Sequence, residues 1–186
     1  IDRSILLSKN NLEESISFNL REGNALFTYH PETSYSKDKI RQDVKNILNC
    51  LAEKKDLGII LTYPNADEGN EVIIEELKNF QKREKERCLL IESLGFKRYL
   101  SLLQYIDLVV GNSSSGLIEV PSFNIATINI GNRQNGRLAP SSVIQTDYEV
   151  ESIRKAISKG LSKEFKEGIK DCKEHAETFQ KKLNKS

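Results

Sequence analysis

Ile106-Asp107-Leu108-Val109-Val110-Gly111-Asn112-Ser113-Ser114-Ser115-Gly116-Leu117-Ile118-Glu119-Val120 is the stretch on which the fold turns. Its first five residues are an apolar, β-prone run. Gly111 allows a tight turn out of that strand, and residues 115–120 carry the spacing of one or two helical turns. The N–H groups at such a helix start are unpaired. With the helix dipole and three serine hydroxyls they form an anion site sized for phosphate. Glu119 lies about one helical turn further on and is placed to accept hydrogen bonds from a vicinal diol, as acidic residues do for ribose in nucleotide folds. The plainer alternative has the serines capping a helix and Glu119 facing water.

The same strand-then-helix unit recurs outward in both directions. Strands are expected over 25–29, 57–63, 88–91, 106–110 and 125–130, and helices over 36–55, 71–85, 97–105, 149–161 and 163–183. Leu12 to Ile16 suits a short helix, and Arg21-Glu22-Gly23-Asn24 reads as a turn. The expectation is therefore five strands, each followed by a helix. The strands are short and β-branched, without alternation of apolar and polar residues, as in strands buried between helix layers. The fold class predicted is α/β, a three-layer Rossmann-like parallel sheet. The lysines of the last helix, Lys163, Lys166, Lys170, Lys173, Lys181 and Lys182, read as a solvated face.

Composition narrows the function classes. Lys+Arg number 28 and Asp+Glu 27, a net charge of +1, which argues against a dedicated nucleic-acid binder. No apolar run approaches the roughly 18–20 residues of a membrane span. The three cysteines, Cys50, Cys88 and Cys172, form no CxxC pair, so neither a disulfide scaffold nor a zinc site is expected. A reducing, cytoplasmic setting fits such a chain. The chain contains no Met, at position 1 or elsewhere. We expect an internal start, and so an excerpt of a longer protein.

In an open parallel sheet, ligands bind at the carboxyl ends of the strands. Arg133, in Gly131-Asn132-Arg133, and Arg137 follow the last expected strand. A guanidinium there would pair with a diphosphate in bidentate fashion; either arginine alone also suits an ordinary surface position. His30 ends the first strand, where it serves phosphate binding, proton transfer or structure. Glu32 and Asp67 are loop carboxylates that suit turn or cap roles. Cys50 and Cys88 fall on core faces, and no cysteine has a His nearby that would make it a nucleophile.

Tyr29-His30-Pro31-Glu32-Thr33, Tyr63-Pro64-Asn65-Ala66-Asp67, Ser93-Leu94-Gly95, the serine block from Gly111 to Phe123, and Ile128-Asn129-Ile130-Gly131-Asn132-Arg133-Gln134-Asn135-Gly136-Arg137 occur in one order. Together they resemble the C-terminal half of the hydrolysing, sialic-acid-pathway type of UDP-N-acetylglucosamine 2-epimerase, over roughly residues 1–162. The resemblance implies one lobe of a GT-B-type two-lobe enzyme with its active site between the lobes. It implies that Ser113 and Ser114 contact the diphosphate, with Ser115 also among the nucleotide-binding residues, and that Glu119 accepts from the ribose hydroxyls. It further implies that Arg133 sits on the phosphates, and that Leu94-Gly95-Phe96 holds the uracil largely through backbone groups. His30, the catalytic candidate, would line the cleft near the leaving group. Residues 1–24 would be the hinge after a missing N-terminal lobe, 25–162 the UDP-binding lobe and 163–186 a C-terminal helix. In one place the chain departs from the family pattern. Cys172-Lys173-Glu174-His175-Ala176 stands where a Pro-containing kink often precedes the last helix, so the crossing back to the other lobe is not carried over.

The reaction so implied converts UDP-GlcNAc to N-acetylmannosamine and UDP, with UDP or UDP-GlcNAc as ligand and no cofactor or metal. The parent is expected to be a homo-oligomer serving sialic or related nonulosonic acid synthesis. The carboxylates for proton transfer at C2 would come from the other lobe, so the excerpt alone should be inactive. Other readings are the donor lobe of a GT-B glycosyltransferase, a GDP-sugar 2-epimerase, a non-catalytic nucleotide-binding module, and an α/β interaction domain without a ligand. Nucleotide binding separates the last from the rest, and fold alone does not separate the others.

Overall fold

Six short strands set the frame: β1 Gly23–Thr28, β2 Leu57–Thr62, β3 Cys88–Ile91, β4 Leu108–Gly111, β5 Ala126–Ile130 and β6 Val143–Thr146. The computed structural model describes residues 3–112, 124–131 and 141–170. The strands form one sheet in the order β3-β2-β1-β4-β5-β6, every neighbouring pair parallel. Six helices are described: α1 Lys9–Ile16, α2 Lys37–Ala52, α3 Asn70–Arg83, α4 Gly95–Leu103, α5 Val150–Leu161 and α6 Lys163–Lys170.

Period-2 geometry sends alternate strand residues to opposite faces, and here both faces are covered. Ala25, Phe27, Ile59, Leu61, Leu108 and Val110 join Ile40, Val44 and Ile47 of α2, Ile73 and Leu77 of α3, and Ile153 and Ile157 of α5 in one apolar cluster. Leu26, Ile60 and Val109 face the other way, against Leu12 and Ile16 of α1 and Leu100, Leu102 and Leu103 of α4. Burial on both faces is why the strands show no polar alternation. The α/β, three-layer, Rossmann-like parallel sheet is thus the observed fold.

Four local expectations are corrected. The sheet has a sixth strand: Val143–Thr146 pairs with β5 through Thr127↔Val143 to Ile130↔Thr146. It is a half-exposed edge strand with an exposed Gln145, so it lacks the apolar run that marks the others. Gly23 and Asn24 belong to β1 rather than to a turn. The Asn24 side chain closes the turn from within the strand, accepting from Arg21 N–H at 2.9 Å and donating to the Arg21 carbonyl at 2.7 Å. Helix α4 begins at Gly95, two residues before the expected start. Within α6, Lys166 is not merely solvated: its ammonium lies 3.2 Å from the Asp107 carboxylate.

Candidate functional site

The chain leaves β1 for β2 on one side and reaches β4 on the other, so the switch point of this sheet lies between β1 and β4. A crevice outside the carboxyl ends of those two strands is where such sheets bind ligands. His30 follows β1 there, and Asn112 follows β4. The last register pair between the strands is Thr28↔Gly111. A Cβ on Gly111 would fall 1.7 Å from the Thr28 carbonyl oxygen, so only glycine permits this approach.

Beyond that pair a side chain continues the pairing. The Asn112 carboxamide accepts from His30 N–H at 2.7 Å and donates to the His30 carbonyl at 2.8 Å. The imidazole is held from the β2 side: Asn65 N–H donates to Nδ1 at 2.9 Å. Burial lowers the His30 pKa below its ordinary value, opposed by the Asp67 carboxylate. A neutral ring that accepts at Nδ1 carries its proton on Nε2. Asn65 also accepts from Asp67 N–H at 3.1 Å, and Asp67 C=O from Asn70 N–H at 3.1 Å, which shapes the loop into α3. Glu32 C=O accepts from Tyr35 N–H at 3.0 Å. Both loop carboxylate residues thus have turn roles through their backbones.

Gly95 and Phe96 open α4, two strands away from β1, after β3. Gly95 has φ +72°, a left-handed conformation that favours glycine. Phe96 is 67% exposed, unusual for an aromatic. The N-cap residue Leu94 offers no side-chain cap to α4; the Gly95 N–H donates instead to the Ser93 hydroxyl at 3.3 Å. Arg98 braces the loop, donating to the carbonyls of Leu94 at 2.7 Å, Ser93 at 3.3 Å and Ser15 at 3.3 Å.

On the opposite flank, Gly131 N–H donates to the Thr146 carbonyl at 3.1 Å. The Tyr148 hydroxyl lies 3.5 Å from the Tyr29 hydroxyl. Burial pushes the Tyr148 phenol up to about 12 and raises that of Tyr29. Lys39 sits 4.5 Å from the Tyr35 ring centroid and 4.3 Å from that of Tyr148, with its ammonium 2.8 Å from Asp43. These contacts tie β6's flank to α2 and to the residue after β1.

The structure thus joins three of the sequence blocks at one point, through His30, Asn65 and Asn112. Ser113, Ser114, Ser115, Glu119, Arg133, Arg137 and Cys172 lie outside the described residues. Cys50 and Cys88 are buried as expected. Burial raises both thiols, that of Cys88 to about 12, which leaves neither suited to nucleophilic work. Among the described residues no group of three or more His, Cys, Asp or Glu is placed to hold a metal ion. Nor, among them, is any helix long and apolar enough to cross a membrane. Sequence reasoning missed Asn112, Asn65 and Arg98 as individual residues. Only their position just after a strand end pointed to the first two.

A family model described as UDP-N-acetylglucosamine 2-epimerase matches residues 1–182. Over 161 residues the chain is 38% identical to the GDP/UDP-N,N'-diacetylbacillosamine 2-epimerase (hydrolyzing) of Campylobacter jejuni, covering 87% of this chain and 41% of that protein. It is also 38% identical, over 138 residues, to the polysialic acid biosynthesis protein P7 of Escherichia coli, covering 74% of this chain and 34% of that protein. The chain therefore spans less than half the length of these curated relatives. Among solved structures, the UDP-GlcNAc 2-epimerase of Neisseria meningitidis bound to UDP-GlcNAc superposes with a TM-score of 0.63 at 14% identity, over 96% of this chain and 48% of that one. That likeness concerns the fold.

Proposed function

The chain belongs to the UDP-N-acetylglucosamine 2-epimerase family, and from that premise we propose that it is the nucleotide-binding lobe of a hydrolysing 2-epimerase. One observation carries the reading. The β1–β4 switch point is built from His30 and from Gly111-Asn112, and the next residues in the chain are Ser113-Ser114-Ser115-Gly116. A glycine-led loop leaving a central strand at the switch point is where a parallel sheet holds a phosphate.

The longer enzyme would convert UDP-GlcNAc and water to N-acetylmannosamine and UDP. The C1–O bond to UDP breaks as the C2 proton leaves, giving a glycal. Water then adds at C1, and a proton returns to C2 on the opposite face. This lobe contributes leaving-group stabilisation. Donors already aimed at the diphosphate meet the charge that develops as the bond breaks. Ser113, Ser114 and Ser115 supply hydroxyls and N–H groups, Arg133 a guanidinium, and His30 a neutral N–H. Glu119 holds the ribose. Gly95 and Phe96, at the start of α4, hold the base largely through backbone groups. The C2 proton transfers fall to carboxylates of a second lobe, reached through the chain that precedes α1. Alone, the chain binds nucleotide and does not turn over. A cytoplasmic homo-oligomer in sialic or nonulosonic acid synthesis completes the reading.

A GDP-linked substrate is the second reading, favoured by the Campylobacter relative, whose name includes both nucleotides. Calorimetric titration with UDP, GDP and CMP in parallel tests both. Saturable UDP binding is expected, weakened about 10- to 100-fold in Arg133→Ala. Preference for GDP moves the base and keeps the lobe. No saturable binding, here and in the longer enzyme, refutes the assignment.

A further inference from the structure

We propose that Asn112 is a positioning residue: its carboxamide clamps the backbone of His30 across the β1–β4 crevice and thereby holds the imidazole as the Nε2–H tautomer. The role in leaving-group stabilisation rests on the nucleotide-lobe reading; the clamp itself does not.

The ladder between β1 and β4 ends at Thr28↔Gly111. One residue later, the two polar backbone groups that His30 would lose to solvent both meet one side chain. The carboxamide accepts from the N–H at 2.7 Å and donates to the C=O at 2.8 Å. A primary amide is the side-chain group that does both at this length. An aspartate could accept but not donate, and would face the carbonyl with like charge. The orientation of the amide is settled by its partners, since a flipped group would oppose donor to donor and acceptor to acceptor.

With the backbone so held, the ring meets Asn65 N–H at 2.9 Å through Nδ1. That bond requires an unprotonated Nδ1, so the neutral ring carries its hydrogen on Nε2. Burial favours the neutral ring as well. His30 is therefore prepared as a hydrogen-bond donor whose preparation depends on a residue 82 positions away. Asn112 acts on the ligand through His30 and need not touch it.

The chain contains two histidines, His30 and His175, so imidazole 15N spectroscopy tests this directly. His175→Gln assigns the His30 signals, read at about pH 8, above the ordinary His pKa, without nucleotide. The wild-type chain should show a fixed Nε2–H tautomer. Asn112→Asp and Asn112→Ala should both lose it, giving exchange-averaged nitrogens while far-UV dichroism stays native. A wild-type ring that is averaged or carries Nδ1–H overturns the proposal, as does a fixed Nε2–H tautomer in both folded variants. Should Asn112→Ala unfold, the isosteric Asn112→Asp decides; unfolding of both overturns a positioning role in favour of a structural one. UDP added to the same wild-type sample keeps the two readings separate. A fixed tautomer with no binding of UDP or GDP, here and in the longer enzyme, sinks the nucleotide assignment and supports the clamp.

Discussion

Gly111→Ala should be among the most damaging single-methyl additions to this chain, for a steric rather than a conformational reason. The new Cβ would stand 1.7 Å from the Thr28 carbonyl oxygen and 2.8 Å from its carbon. A normal C···O contact is about 3.3 Å, so β1 and β4 must part by roughly 1.5 Å at their last rung. The atoms in the way are backbone and cannot rotate aside. Parting the strands removes the Thr28↔Gly111 pairing and both Asn112–His30 bonds just beyond it. At about 1 kcal/mol net for each hydrogen bond, the loss comes to about 3–4 kcal/mol. For a chain of this size that is about 10 °C in Tm. Gly95→Ala is the control. Gly95 has φ +72° but nothing within 4 Å of its Cβ position, so it should cost only the left-handed conformational penalty of about 1–2 kcal/mol. Urea denaturation of the two variants against wild type measures both. If Gly111→Ala proves no more destabilising than Gly95→Ala, the strands part more cheaply than the close approach implies and the steric argument is wrong.

Two further outcomes follow from Arg87, just before β3, and His30, just after β1. Arg87 is 5% exposed and donates to the carbonyls of Ala52, Lys54 and Leu57 at 2.9–3.0 Å and to the Glu84 carboxylate at 3.0 Å. Arg87→Met should cost about 3 kcal/mol by orphaning those acceptors; a loss under about 1 kcal/mol in urea denaturation would contradict that accounting. His30 has its pKa lowered in the folded state, so on acidification the unfolded chain takes the proton first. The stability it contributes is full above the unfolded value of about 6.5 and is lost as pH falls through the lower folded value. Denaturation midpoints measured from about pH 8 to 5 should therefore drop more steeply in wild type than in His30→Gln, and equal slopes would show that the ring is not desolvated.

The β1, β2 and β4 strands are legible in the sequence because burial on both faces demands unbroken runs such as Leu57 to Leu61. β6 is not, because an edge strand pairs on one side only and tolerates an exposed Gln145. The resemblance sets Gly95 and Phe96 in a loop, whereas both belong to the first turn of α4. A glycine with φ +72° breaks the helical pattern that its neighbours set.

Asparagine shows most clearly what pattern cannot supply. Asn24 and Asn112 stand at opposite ends of the same central pair of strands, and each uses its carboxamide on backbone groups. Asn24 is fully buried at the amino end, where its amide satisfies Arg21 and Tyr105 and its work is structural. Asn112 stands at the carboxyl end, where the crevice opens. Neither residue type nor neighbours along the chain separate the two. The difference lies in the strand order, which joins His30, Asn65 and Asn112 because β2, β1 and β4 are adjacent, although the hydrogen bonds linking His30 to Asn65 and to Asn112 span 35 and 82 residues. Chemistry at this site is therefore a property of the topology that gathers the residues. For that reason the Asn112 substitutions should disturb the His30 ring, while substitutions of Asn24 should lower stability and leave the ring tautomer of the folded chain unchanged in the same 15N measurement.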